Sequence, residues 1–322
     1  MLSVLIIETV PRSKNPIDAH VRNAISLKNE LINLGLKVDL LFSEEKSTFN
    51  QKKYDVILIS YASPYPDIKG LDKIFSYNKN SVWGWLINEY NIAPNGFAWK
   101  IFSKCKSFLL ANYDVGVKKY KCFDKAFTEN LNLLLYKEFR PIEKKYNFIY
   151  YGTYRTGREK YFKKYLQLPV YLSTSTKNHK KFKHIGCTAK PITKFSWQSP
   201  ALNKFRYSLY FEDEFTHDNF NNLANRFYES LGSNCVILFD KNCENTLKRS
   251  GLKNYKDYII ENVRDLDKYN ANNYKKFLLE QSIWKSEIVK QKNKMIKNVA
   301  DTLTLISENS GENFPSIKEA VQ

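Results

Sequence analysis

Short, wholly apolar runs recur along this chain and constrain its fold more than any other feature. Residues 2–8 read LSVLIIE, Asp55–Ser60 read DVILIS and Ser81–Ile87 read SVWGWLI, each bounded by polar or helical stretches. A run that is apolar at nearly every position leaves no face for water, so such a strand must be covered on both sides, as in a parallel sheet between helix layers. Between the first two runs the spacing predicts a helix from about Asp18, with Val21, Ala24/Ile25 and Leu31/Ile32 on one face. Gly35 is its expected left-handed stop, and a strand follows over Val38–Phe42. Strand, helix, strand, repeated, is the signature of a doubly wound α/β domain.

The pattern restarts after a charged connector, Lys137–Lys145 (KEFRPIEKK). Asn147–Tyr151 reads as a fresh strand and Gly157–Leu166 as a helix. Pro169–Leu172, Tyr207–Phe211, Cys235–Phe239 and Tyr258–Ile260 are later strands, with a helix over Asn219–Leu231. From about Asp265 to Glu308 the pattern is almost wholly helical, without Pro or Gly. The expected organisation is a Rossmann-like domain over 1–140, a second over 146–285, and a C-terminal helical segment over 286–322 packing back on the first.

Composition decides what such a chain meets. Of 322 residues 43% are hydrophobic and 48 are aromatic, which excludes a disordered polybasic protein. The formal charge of +18 points to a polyanionic partner: nucleic acid, an anionic membrane face or phosphorylated substrates. No stretch approaches the 18 or more apolar residues of a membrane span, and Met1–Glu8 lacks the basic flank and cleavage site of a signal peptide. A cytoplasmic protein without membrane attachment is therefore expected. The five cysteines form no C-x-x-C pair and read as reduced thiols. His184 and Cys187 are the nearest approach to a metal cluster and lack a second ligand pair, so no metal site is expected.

Two segments carry chemistry. Tyr150–Arg158 (YYGTYRTGR) leaves a strand, turns through two glycines and enters a helix. That gathers backbone N–H groups and two guanidinium groups at a strand's carboxyl end, a place to hold a diphosphate; a solvated basic helix start is the plainer reading. In the second segment, Arg226 and Glu229 stand three apart on a helix and share a face. The carboxylate can accept from two ribose hydroxyls while the arginine reaches phosphates. An intrahelical ion pair is the bland alternative.

The run YGTYRTGRE, the later DNF…RFYESLGSNCVILFD and the opening LINLGLKVDLLF together resemble the DNA β-glucosyltransferases of T-even bacteriophages. The resemblance is patchy but collinear over most of the chain. It implies a GT-B fold, with two Rossmann-like domains facing a central cleft. It also implies transfer of glucose from UDP-glucose to 5-hydroxymethylcytosine in duplex DNA, with inversion at the anomeric carbon and the base flipped out. Carried over residue by residue, it makes Gly152 and Thr153 contacts to the donor diphosphate, Arg155, Arg158 and Arg226 its phosphate ligands, and Glu229 the ribose acceptor. Phe195, next to Lys194, falls in the uracil-contacting segment. Arg158 lies three residues beyond Arg155, where the family spaces its arginines by four.

A catalytic base must take the acceptor's hydroxyl proton, and Glu89, at the end of the Ser81–Ile87 run, stands where the family carries an aspartate. The family's acidic residue near the first helix falls close to Asn23, with Asp18 and His20 as neighbours. Asp18 is more simply a helix N-cap. Loops Tyr61–Asp72 and Asn91–Lys100 mix aromatics, Pro and Lys in the manner of a nucleic-acid contact. The expectation is thus a monomeric, phage-type enzyme using UDP-glucose or another UDP-sugar, with a divalent cation (Mg or Mn) as a possible companion of the donor and double-stranded DNA as its partner. The alternatives are a GT-B enzyme with a lipid, glycan or protein acceptor, and an inactive DNA-binding relative.

Overall fold

The computed structural model describes residues 1–10, 19–42, 51–60, 71–87, 104–111, 125–191, 201–219 and 223–308. The chain divides into two compact units, Met1–Leu134 with Gln291–Gln322, and Leu135–Lys290. Both are α/β, as the apolar runs predict.

In unit 1 the strands are β1 (Ser3–Glu8), β2 (Lys37–Phe42), β3 (Val56–Ser60), β4 (Val82–Ile87), β5 (Ser107–Ala111) and β6 (Lys125–Thr128), with helices α1 (Ala19–Asn33) and α2 (Leu71–Tyr77). Every pairing is parallel and the order is β2-β1-β3-β4-β5-β6. Ile7, Ile57, Ile59, Trp83 and Trp85 form the core of one sheet face, each fully buried. β3 and β5 are buried at all five positions, which is why their sequences show no polar alternation. The strand order reverses between β1 and β3, which end together as Glu8 pairs with Ser60.

Unit 2 repeats the scheme. Its strands are β7 (Tyr146–Tyr151), β8 (Val170–Ser173), β9 (Lys190–Pro191), β10 (Phe205–Tyr210), β11 (Val236–Asp240) and β12 (Ile259–Ile260). Its helices are α3 (Glu159–Tyr165), α4 (Thr176–His184), α5 (Glu214–Asn219), α6 (Asn225–Gly232), α7 (Glu244–Ser250) and α8 (Tyr274–Glu280). The order is β12-β11-β10-β7-β8-β9, again all parallel. Here the reversal lies between β7 and β10, where Tyr150 pairs with Leu209. Ligands of open parallel sheets bind at the carboxyl ends beside such a reversal, because the two flanking connections leave in opposite directions and open a crevice.

The structure refines the sequence reading in three places. β5, β6 and β9 lie outside the strands expected from sequence, being short or flanked by polar residues. The helix expected over Asn219–Leu231 is α6, which begins at Asn225, and a separate short helix, α5, precedes it. The helical tract from Asp265 is divided into a 3-10 turn over Val263–Lys268, α8, and a 27-residue helix α9 (Ser282–Glu308). Helical periodicity survives such breaks because each piece still buries one stripe. Tyr274, Trp284, Ile288, Met295, Ile296, Val299, Leu303 and Ile306 all point inward.

Candidate functional site

The carboxyl end of β7 continues into Gly152, Thr153 and Arg155, then a 3-10 turn over Thr156–Arg158 leads into α3. Gly152 is required by crowding. A Cβ built there would lie 3.0 Å from the Tyr150 hydroxyl oxygen and 3.5 Å from the Arg226 guanidinium carbon. A side chain at this position would press on the Tyr150 hydroxyl, and the Gly152 N–H is held by the Ser173 carbonyl at 3.1 Å. Thr153 and Arg155 are exposed beside it.

Arg226 approaches from α6. This helix begins at Asn225 after Ala224, whose side chain supplies no cap, while the Ala224 N–H donates to the Tyr210 hydroxyl at 2.7 Å. An uncapped helix start presents backbone donors to anions. Arg226 is 9% exposed. Its Nη1 donates to the Tyr150 hydroxyl at 2.9 Å and to the Phe211 carbonyl at 3.2 Å, and its Nη2 lies 3.0 Å from Glu212 Oε1. The guanidinium also packs over the rings of Tyr150 and Tyr210, at 5.4 and 5.6 Å. Burial alone would favour its neutral form, but Glu212 together with Tyr150 and Tyr210 outweighs burial and Arg226 stays charged. Glu229 lies one turn further along α6 and is 2% exposed.

Arg158 has a different setting. It is 2% exposed, its Nη2 ion-pairs with Glu212, and its Nε donates to Asp213 Oδ2 at 3.0 Å. Asp213 in turn accepts from the Thr216 N–H and hydroxyl through Oδ1, at 2.8 and 2.6 Å, and so starts α5. Burial would raise the Asp213 pKa, but Thr216 and Arg158 outweigh it and the carboxyl is held below the usual aspartate range. The partners that Arg158 finds are thus protein carboxylates.

Glu212 is the residue that sequence reasoning missed. At 1% exposure it bridges Arg158 and Arg226, tying the turn after β7 to the first turn of α6. The signal was there: Glu212-Asp213-Glu214 follows the apolar strand Tyr207–Phe211 directly, and a carboxylate at a buried strand end needs a cationic partner. His217 on α5 completes the cluster, its Nδ1 2.7 Å from the Thr246 hydroxyl. Burial lowers its pKa against the opposing pull of Glu212, Asp213 and Glu214.

Five of the sequence-designated residues, Gly152, Arg155, Arg158, Arg226 and Glu229, are carried by three neighbouring elements at this reversal, with Thr153 between the first two. Phe195 and Lys194 lie outside the described residues, as do Glu89, Asp18 and nearly all of both candidate DNA loops. Glu89 follows the end of β4 by two residues. At the unit 1 reversal, Glu8 is fully buried and its Oε1 accepts from the Val10 N–H at 2.8 Å, while the Thr9 hydroxyl donates to the Ser60 carbonyl at 2.9 Å. Asn23, on α1, is also buried. Among the described residues no group of three or more His, Cys, Asp and Glu side chains is placed to hold a metal ion, and no helix is long and apolar enough to cross a membrane.

No protein-family model matches the chain, and no curated protein matches it by sequence. Solved structures do. A mutant T4 phage β-glucosyltransferase in complex with UDP-glucose superimposes with a TM-score of 0.63 at 15% identity, covering 97% of this chain and 99% of that one. The T4 phage enzyme with UDP and Mn2+ gives 0.62 at 15% identity, covering 95% and 98%. An α-glucosyltransferase in complex with UDP-glucose and DNA containing an abasic site gives 0.59 at 11% identity, covering 94% and 99%. At these identities the likeness is one of architecture: over almost its whole length this chain has the fold of the phage DNA glucosyltransferases, the GT-B fold.

Proposed function

We propose that the protein is an inverting glycosyltransferase that moves a sugar, glucose foremost, from a UDP-sugar to a hydroxymethylated pyrimidine in duplex DNA, 5-hydroxymethylcytosine foremost. The observation that carries this reading is the meeting of the Gly152 turn, Arg226 and Glu229 at the β7/β10 reversal, in a chain whose structural neighbours are crystallised with UDP-glucose, UDP or DNA.

In this reading the acceptor's hydroxymethyl oxygen attacks the anomeric carbon of the donor. The new carbon–oxygen bond forms as the bond to the β-phosphate oxygen breaks, and the hydroxyl proton passes to the Glu89 carboxylate. UDP departs with the displaced electron pair. Its charge is met by Arg155, Arg226, the Thr153 backbone and the α6 N-terminus, with Gly152 keeping the turn clear of a side chain; Arg226 is oriented by Glu212, Tyr150 and Phe211 before the donor arrives. Glu229 accepts from the ribose hydroxyls and Phe195 flanks the uracil. Arg158 contributes through Glu212, holding the carboxylate that orients Arg226. Among the described residues Glu212 and Asp213 are committed to arginines; a divalent cation would be a companion of the diphosphate, where it would neutralise leaving-group charge.

The test is transfer of radiolabelled glucose from UDP-glucose to duplexes carrying 5-hydroxymethylcytosine or 5-hydroxymethyluracil. Incorporation is expected for the intact chain. Glu89→Gln should lower it about a hundredfold or more while UDP still raises the melting temperature. Transfer to neither duplex with any nucleotide sugar, or full turnover by Glu89→Gln, contradicts the assignment in question.

A further inference from the structure

Unit 2 carries an electrostatic feature that the donor site does not use. Residues 159–191 contain eight lysines and a single acidic residue, Glu159, a surplus of seven out of the chain's +18 in about a tenth of its length. The segment spans α3, β8, α4 and β9. Two of the eight lysines have carboxylate partners, Lys160 with Glu214 and Lys164 with Asp240. Lys163 on α3 and Lys180, Lys181 and Lys183 on α4 are exposed, and among the described residues no carboxylate lies within ion-pair distance of them.

α4 serves the core very little. Phe182 is the one fully buried side chain among its described residues. Its ring packs edge-on against Phe162 of α3 at 4.7 Å and against Tyr154 at 5.4 Å, which holds the helix in place. The Lys181 ammonium lies over the Tyr154 ring at 5.5 Å, and Tyr154 stands between Thr153 and Arg155, so the lysine face begins at the edge of the donor turn. Lys180 and Lys183 are i and i+3, and like charges at that spacing repel. A rigid, self-repelling group of ammonium charges is relieved by a polyanion with closely spaced phosphates. An anionic lipid surface fits less well. Helices that bind membranes present large apolar side chains beside their lysines, and the described residues of 159–191 expose none.

We propose that the exposed face of α4, with Lys163 of α3, is a sequence-independent duplex contact through which unit 2 grips the DNA backbone. The inference rests on the reading that this chain acts on DNA. The test compares the full chain with the variant Lys180→Gln/Lys181→Gln/Lys183→Gln in binding to an unmodified duplex of about 20 base pairs, between 50 and 200 mM salt. Each lost phosphate contact should reduce the slope of log K against log salt by about 0.9, so a reduction of about 2 to 3 is expected. UDP-induced thermal stabilisation should be unchanged, and Lys256→Gln/Lys275→Gln, at exposed positions elsewhere in the unit, should leave the slope as it was. An unchanged slope in the triple variant while the parent binds DNA overturns the inference and leaves the enzymatic reading intact. A variant that loses binding to phosphatidylserine vesicles but keeps its duplex binding also overturns it, in favour of a membrane. A parent chain with no affinity for duplex fails both.

Discussion

Glu212 concentrates the physics of the β7/β10 reversal in one side chain. A carboxylate at 1% exposure between two guanidinium groups is tolerated because both neighbours are cationic; removing its charge strands Arg158 and Arg226 in a poorly solvated site. Glu212→Gln should therefore lower unfolding free energy by about 3–5 kcal/mol, read from urea denaturation, and an unchanged midpoint would show that the bridge contributes nothing. His217 gives a pH signature. Its pKa is lowered in the folded chain, so the native state binds fewer protons than the unfolded one. Stability is then present above the unfolded value near 6.5 and lost as pH falls below it towards the folded value. His217→Gln should flatten the stability curve below about pH 6.5 relative to the parent, since only the difference isolates this group. An identical slope in both proteins would place the titration elsewhere.

At the scale of elements, α6 must be held at both ends for Arg226 and Glu229 to stay in register. Its start is fixed by Tyr210 and its end by the connector that precedes β7. The Phe139 N–H donates to the Gly232 carbonyl at 2.9 Å, and Asn234 Nδ2 donates to the Phe139 carbonyl at 3.0 Å. A Cβ on Gly232 would lie 2.1 Å from the Lys137 carbonyl oxygen, which belongs to backbone and cannot swing aside. Gly232→Ala should destabilise the protein by about 1–3 kcal/mol or more and weaken UDP binding by tilting α6. Thermal melts with and without UDP measure both effects, and an unperturbed melting temperature would mean that the connector yields freely. The start of α6 also belongs to this scale. Sequence spacing begins the helix at Asn219, whereas α6 begins at Asn225, where the Ala224 N–H donates to the Tyr210 hydroxyl, a bond that leaves no trace in hydrophobic spacing.

For the whole molecule, charge is the property with the widest reach. With +18 in all, and Arg158 and Arg226 engaged by Glu212, most of the surplus is lysine. Binding to unmodified duplex should fall about a thousandfold or more between 50 and 200 mM salt if six or more phosphates are contacted, whatever the base sequence. Retention that is insensitive to salt would indicate that the charge serves another end. The division into two α/β halves was legible in the chain itself: apolar runs buried on both faces force covered parallel strands, and the pattern visibly restarts after the connector. So were the Gly152–Arg158 turn and the shared face of Arg226 and Glu229, because glycine placement and helical spacing are local codes. The strand order was not legible, and with it went the pairing of Glu212 with Arg158 and Arg226. Glu212 is 54 residues from one arginine and 14 from the other. Only the reversal between β7 and β10 brings them together, turning two basic motifs into one counter-charged cluster. Local periodicity records which side of an element avoids water, whereas tertiary packing alone decides which charges share a buried space.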